Sequence, residues 1–307
     1  MSVLFAAPPK ITASVFAELP ATFRTAQVSP ERVASGRSVP RHGCFLEGPA
    51  FDRDGNLYVT DIPFGRIFRI DPAGQFTLVA EYDGDPNGLA IDSEGRILIA
   101  DYRQGLVELD AVRGTVSVLH HSYRAERFKG LNDLCFADNG DLYFTDQGQT
   151  GLNDPTGRLY RLRRSGALER LADNLPSPNG LALNDAQNTL FVAVTRANAI
   201  WRLPLLADGS VARMGMFIQL SGGRGPDGMA LDEQDGLAVA HPDMGAVWLF
   251  DRRGEPTLRI DSPKSDMLTN VAFGGPARQT LYIVDSEAGC VLSAPVPVAG
   301  RVLVSHR

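Results

Sequence analysis

The chain has 307 residues, 44% of them hydrophobic and 21% charged, with a formal net charge of −6. Such values describe a globular protein with a sizeable core and no basic block, so neither nucleic acid nor an anionic membrane surface is an expected partner. No run of about 18 apolar residues is present to span a bilayer, and the three cysteines form no CxxC pair, which excludes zinc-ribbon and thioredoxin chemistry.

Residues 1–7 are apolar but short and lack a basic leader, which is not the pattern of a secretory signal. Cys44, Cys135 and Cys290 are distant and odd in number, and the chain contains no Asn-x-Ser/Thr sequon. Reduced thiols and a cytoplasmic location are the expectation. An alternating run follows at 11–16. From there a repeated unit begins.

Each unit opens on a head residue: Glu47, Asn87, Asn132, Asn179, Asp227 and Asn270, spaced 40 to 48 residues apart. About ten residues after each head comes a short apolar run of strand character, at 55–61, 96–101, 141–146, 189–194, 236–241 and 280–285. Four of these runs close on an aspartate (Asp61, Asp101, Asp146, Asp285), where a turn-capping role is expected. Third strands are predicted at 66–70, 106–109, 158–162, 200–203, 247–250 and 290–292, with outer fourth strands such as 76–80 and 257–260.

A period in the forties with several short strands per unit is the pattern of a β-propeller. The predicted fold is all-β: one six-bladed propeller over residues 1–307, with four antiparallel strands per blade. The 1–40 segment is expected to close the last blade through the run at 11–16, which removes two open strand edges. The C-terminal run at 302–304 is the other candidate for that place.

Equivalent positions in a propeller sit at one height and radius, so the six heads form a ring around the central axis. All six carry a side-chain oxygen. Asn-Gly and Asp-Gly pairs also form turns, but six matched positions including Glu-Gly-Pro exceed what turns require. Two carboxylates and several amide oxygens converging on an axis repel and lose solvation unless a cation joins them. An all-oxygen set suits a hard divalent ion, Ca²⁺ first, ahead of Mg²⁺, Mn²⁺ or Zn²⁺.

Four motifs carry a resemblance: Phe45-Leu46-Glu47-Gly48-Pro49, Leu131-Asn132-Asp133, Pro178-Asn179-Gly180-Leu181 and Pro226-Asp227-Gly228-Met229. In this order and spacing they resemble the SMP-30/gluconolactonase/luciferin-regenerating-enzyme family of six-bladed propellers. The resemblance implies a metal held by Glu47, Asn132, Asn179 and Asp227. It further implies hydrolysis of a lactone, with Asp227, or water activated at the metal, as base. Sugar-lactone members often carry Arg two residues before the third-blade Asn; Gly130 stands there in this chain. A related metal-dependent phosphotriesterase, or a non-catalytic ligand-binding propeller, are the alternative readings.

Loops from second to third strands open on the face where first strands begin, which places 62–65, 102–104, 147–155, 195–198, 242–245 and 286–289 around the channel mouth. The longest, 147–155, is a candidate lid. Arg103, Arg196, His241 and Gln147 from these loops, with the remaining ring members Asn87 and Asn270, are the substrate-contact candidates. The expected partner is a small-molecule lactone, handled by a monomer or small homo-oligomer. No G-x-S-x-G elbow and no H-E-x-x-H pair is present to support a serine hydrolase or zincin. Ser221-Gly222-Gly223-Arg224-Gly225 is glycine-rich but lacks the Lys of a phosphate loop.

Overall fold

The second strands Leu57–Asp61, Ile97–Asp101, Leu142–Asp146 and Leu237–His241 are buried along their whole length. Uninterrupted apolar runs of this kind fit strands covered on both faces. The computed structural model, which describes residues 7–24 and 43–306, provides both covers. Each sheet lies between two others, so its outer strands, such as Phe76–Glu81 and Thr115–His120, are the ones that meet solvent.

Six antiparallel meanders form the blades. Their innermost strands are Leu46–Phe51, Pro86–Ile91, Leu131–Phe136, Pro178–Leu183, Met229–Leu231 and Leu268–Gly274. These touch in sequence order and the sixth returns to the first. The predicted six-bladed propeller with four antiparallel strands per blade is the observed fold.

The core is six wedges between blades. Between blades two and three, Leu98, Ala100 and Leu106 pack on Leu131, Leu134, Leu142, Phe144 and Tyr160. Comparable clusters fill the other five seams. Phe144 and Tyr160 stack with ring centroids 5.4 Å apart. Burial on this scale, at about 25 cal/mol per Å² of apolar surface, is what holds the ring.

The N-terminal run divides between two blades. Ser14–Glu18 pairs antiparallel with Cys290–Pro295 as the outer strand of blade six. Lys10–Thr12 pairs parallel with Pro256–Asp261, giving blade five a fifth strand that the repeat did not announce. Residues 1–6 and 25–42 lie outside the described residues. The C-terminal run takes a different place: it passes beneath the ring, where the Arg301 amide donates to the Leu231 carbonyl (3.0 Å) and its guanidinium to the Leu183 carbonyl (3.0 Å). Leu303 and Val304 there help close a cavity of about 130 Å³ in the lower half of the channel. A small hairpin, Ser122–Tyr123 with Glu126–Arg127, is a further element absent from the sequence expectation. Among the described residues no helix is long and apolar enough to cross a membrane.

Candidate active site

The heads owe their direction to breaks in strand register. In blades one to four the ladder to the second strand slips at the head: Glu47 to Ala50, Pro86 to Leu89, Leu131 to Leu134 and Pro178 to Leu181. Blade six slips between Leu268 and Asn270, and in blade five pairing starts only at Met229, beyond Asp227. A bulge of this kind re-aims a side chain out of the sheet's alternation. The Gly of the head pairs therefore serves close approach and not a hairpin turn. A Cβ at Gly48 (φ +59) would stand 2.4 Å from the Asn87 carbonyl oxygen, and one at Gly180 would stand 2.5 Å from that of Asp227.

Hydroxyls on or just after three of the second strands tie neighbouring blades together beside the heads. Thr60 donates to the Asn87 carbonyl (2.8 Å), Thr145 to that of Asn179 (2.9 Å) and Thr195 to that of Pro226 (2.7 Å). Of the strand-closing aspartates, Asp101 caps its own turn, accepting the Arg103 and Gln104 amides (2.7 Å each), and Asp285 accepts that of Ala288 (3.2 Å), while Asp61 and Asp146 accept from the entry to the first strand, the Phe45 amide (2.8 Å) and that of Gly130 (2.8 Å). These bonds fix the backbone that carries the ring.

Side chains from opposite blades then meet on the axis. The Asn270 amide donates to the Glu47 carboxylate (3.0 Å) and reaches the Asp133 carboxylate of the facing blade at 3.5 Å. Its oxygen accepts the Val271 amide (2.8 Å). The Asn179 side chain lowers the proton affinity of Asp227, and Asn132 donates to Gln147 (3.0 Å). With its N–H group so occupied, Asn132 keeps its carbonyl oxygen for another partner. Asn87 is partly exposed, and among the described residues its side chain makes no hydrogen bond.

Burial raises the proton affinity of all three acids at this level. Glu47 is pushed up by burial, against opposing hydrogen bonds from Thr269, Gly48 and Asn270. Asp227 is held well above the usual carboxylate range by burial, then by the charges of Glu47 and Asp133. Asp133 is pushed up to about 7 by burial, with Glu47 adding to it. Asp133 was not among the residues selected from sequence. The signal was present, because it stands where blades two, four and five carry Gly88, Gly180 and Gly228.

The rim candidates are placed differently. His241 is buried; its Nδ1 accepts the Trp248 indole N–H (3.2 Å) and its Nε2 lies 3.1 Å from the Gly222 carbonyl. Both nitrogens are thus engaged within the protein, and burial lowers its proton affinity. Arg103 turns toward exposed Asp83, forming a salt bridge and a 3.0 Å bond to that residue's carbonyl. Arg196 is exposed and has no polar partner among the described residues. The Tyr102 ring fills the space beside Gly130, where an added Cβ would come within 2.3 Å of it. Its hydroxyl accepts the Gln149 amide (3.0 Å). Loop 147–155 is pinned by Thr150, which donates to the Gln147 carbonyl (2.6 Å) and accepts the Ser177 amide (3.1 Å).

A family model for the SMP-30/gluconolactonase/LRE-like region matches residues 45–287. The chain belongs to this family. The lactonase drp35 of Staphylococcus saprophyticus is 30% identical over 238 residues, covering 74% of this chain and 73% of the relative. The gluconolactonase of Zymomonas mobilis is 30% identical over 279 residues, covering 78% and 76%. Among solved structures, a regucalcin of Agrobacterium tumefaciens described as a calcium-binding protein superposes with a TM-score of 0.76. It covers 99% of this chain and 100% of its own at 22% identity, a likeness of fold.

The donor set fits a hard cation of the kind this family fold implies. Among the described residues no three His, Cys, Asp or Glu side chains group closely enough to hold a metal by themselves. Amide oxygens are needed to complete a set; Asn132 offers its own, and Asn179 stands beside Asp227. The buried acids supply negative charge whose repulsion a cation would relieve.

Proposed function

We propose that the protein is a metal-dependent lactonase whose axial ring, Glu47, Asn132, Asn179 and Asp227, holds one divalent cation, with Ca²⁺ the best match. One observation carries the reading. Two buried carboxylates, Glu47 and Asp133, the partly open Asp227 and the amides of Asn132, Asn179 and Asn270 converge at one depth of the channel, with every acid's proton affinity raised. A binding scaffold has no need of such a costly arrangement. The relatives named lactonase and gluconolactonase support the reaction class.

Bound on this ring, a cation supplies the positive charge that polarises a lactone carbonyl and offsets the oxyanion formed on attack. The remaining work falls to the chain. Glu47 and Asp227 contribute two negative charges, and Asn132 and Asn179 present oriented oxygens. Asp227 keeps part of its surface open and in this reading accepts a proton as the attacking water bonds to the carbonyl carbon. Cleavage of the ring C–O bond then leaves an alkoxide that takes up this proton, giving the hydroxy acid. With His241 engaged on both nitrogens, no histidine base is needed.

The test is a panel of aliphatic and sugar lactones followed by acid release, after EDTA treatment and after adding back Ca²⁺, Mg²⁺, Mn²⁺ or Zn²⁺. Hydrolysis that is lost with chelator, restored by a cation and absent in Asp227→Ala is the expected result. Hydrolysis unaffected by chelator, or no lactone opened by metal-loaded protein, would contradict the proposal.

A further inference from the structure

Ser177 is a non-glycine residue at φ 65, a left-handed conformation that residues with a Cβ seldom adopt. It sits two residues before Asn179, is almost fully buried, and its hydroxyl accepts the Gln147 side-chain amide (3.0 Å). Glycine would fit this backbone more easily, so the hydroxyl is the reason for a serine. The bonds form a closed circuit. Asn132 donates to the Gln147 side-chain oxygen, Gln147 donates to Ser177, the Ser177 amide donates to Thr150, and Thr150 returns to the Gln147 carbonyl. The Gln147 backbone amide is itself anchored on the Gly130 carbonyl (3.0 Å).

We infer that Gln147 is a positioning residue: with Ser177 and Thr150 it locks the Asn132 amide with its oxygen toward the axis and couples loop 147–155 to the ring. An asparagine amide has two nearly isosteric orientations, and only one presents oxygen inward. The acceptor oxygen of Gln147 selects that one, because it receives the Asn132 N–H while the Gln147 NH₂ is turned to the Ser177 hydroxyl. Both side-chain functions of Gln147 are consumed in this, so it is not free to contact substrate. The inference rests on the proposed metal role of Asn132 and Asn179.

The experiment measures calcium affinity by calorimetry on EDTA-stripped protein, alongside melting in EDTA and steady-state lactone kinetics. Gln147→Leu is expected to weaken calcium binding about 10- to 100-fold, the usual cost of losing a ligand-orienting partner, with melting in EDTA unchanged. Gln147→Glu, which still accepts the Asn132 N–H, is expected to restore most of that loss. Ser177→Gly removes both the backbone strain and the hydroxyl, so melting in EDTA should rise or hold while calcium affinity falls. A Gln147→Leu protein that binds calcium like wild type but shows a raised KM would make Gln147 a substrate contact and overturn the inference. So would affinity and EDTA stability falling together in Gln147→Leu and Ser177→Gly, which is the mark of plain packing. Wild-type protein that takes up no calcium would overturn the metal reading itself, and this inference with it.

Discussion

Replacing Asp133 by Asn should make the metal-free protein more stable and the metal-loaded protein less so. Burial, with Glu47 adding to it, pushes the Asp133 carboxyl from its ordinary 3.8 to about 7. That is roughly a thousandfold change in proton affinity, so an ionised Asp133 costs the empty fold about 4 kcal/mol at most. A carboxyl that holds its proton more tightly when folded stabilises the fold while protonated. That benefit fades as pH rises from 3.8 toward 7, and above 7 the whole cost is borne. Asn keeps the shape and the acceptor for the Leu134 amide (2.9 Å) without the charge. Urea denaturation in EDTA should therefore show Asp133→Asn more stable than wild type by about 2–4 kcal/mol at pH 8, with the gain shrinking toward zero near pH 4. With saturating calcium the sign should reverse, because a cation draws stabilisation from every nearby negative charge. A variant no more stable than wild type at pH 8 in EDTA, or a gain independent of pH, would refute the reasoning.

Gly180→Ala should destabilise the fold by about 2 kcal/mol or more, since its Cβ would stand 2.5 Å from the Asp227 carbonyl oxygen and the two inner strands must separate; denaturant midpoints check this. Ala17→Asp, on the strand that closes blade six and buried in the seam with blade one, should cost about 3 kcal/mol or more by burying an unpaired charge, read in the same assay. Burial pushes the Cys44 and Cys290 thiols up to about 12, so a thiol reagent at pH 8 should leave both unlabelled in native protein and modify them in guanidinium.

The propeller was legible because its information is periodic: six heads and six apolar runs repeat at a spacing that few folds share. The meeting of heads from different blades, as Asn270 meets Glu47, was legible for the same reason, since equivalent repeat positions share height and radius. Asp133 was overlooked because the comparison followed the head residue and not its successor, where blade three alone of the five Asn- or Asp-headed units carries a carboxylate. The division of the N-terminal run between blades five and six depends on a three-residue parallel pairing too short to leave a pattern. The engagement of His241 by Trp248 and Gly222 depends on tertiary approach, which strand periodicity does not encode. Amide orientation at Asn132 and Asn270 is likewise set by partners far along the chain, Gln147 for one and Glu47 with Asp133 for the other.

The most direct test of the account is anomalous difference density from crystals grown with calcium or manganese. The account predicts one strong peak on the channel axis, within about 2.3–2.6 Å of oxygens from Glu47, Asn132, Asn179 and Asp227 for calcium, and no axial peak in Asp227→Ala. An axis empty of density in protein that opens lactones, or a peak bound elsewhere, would contradict it.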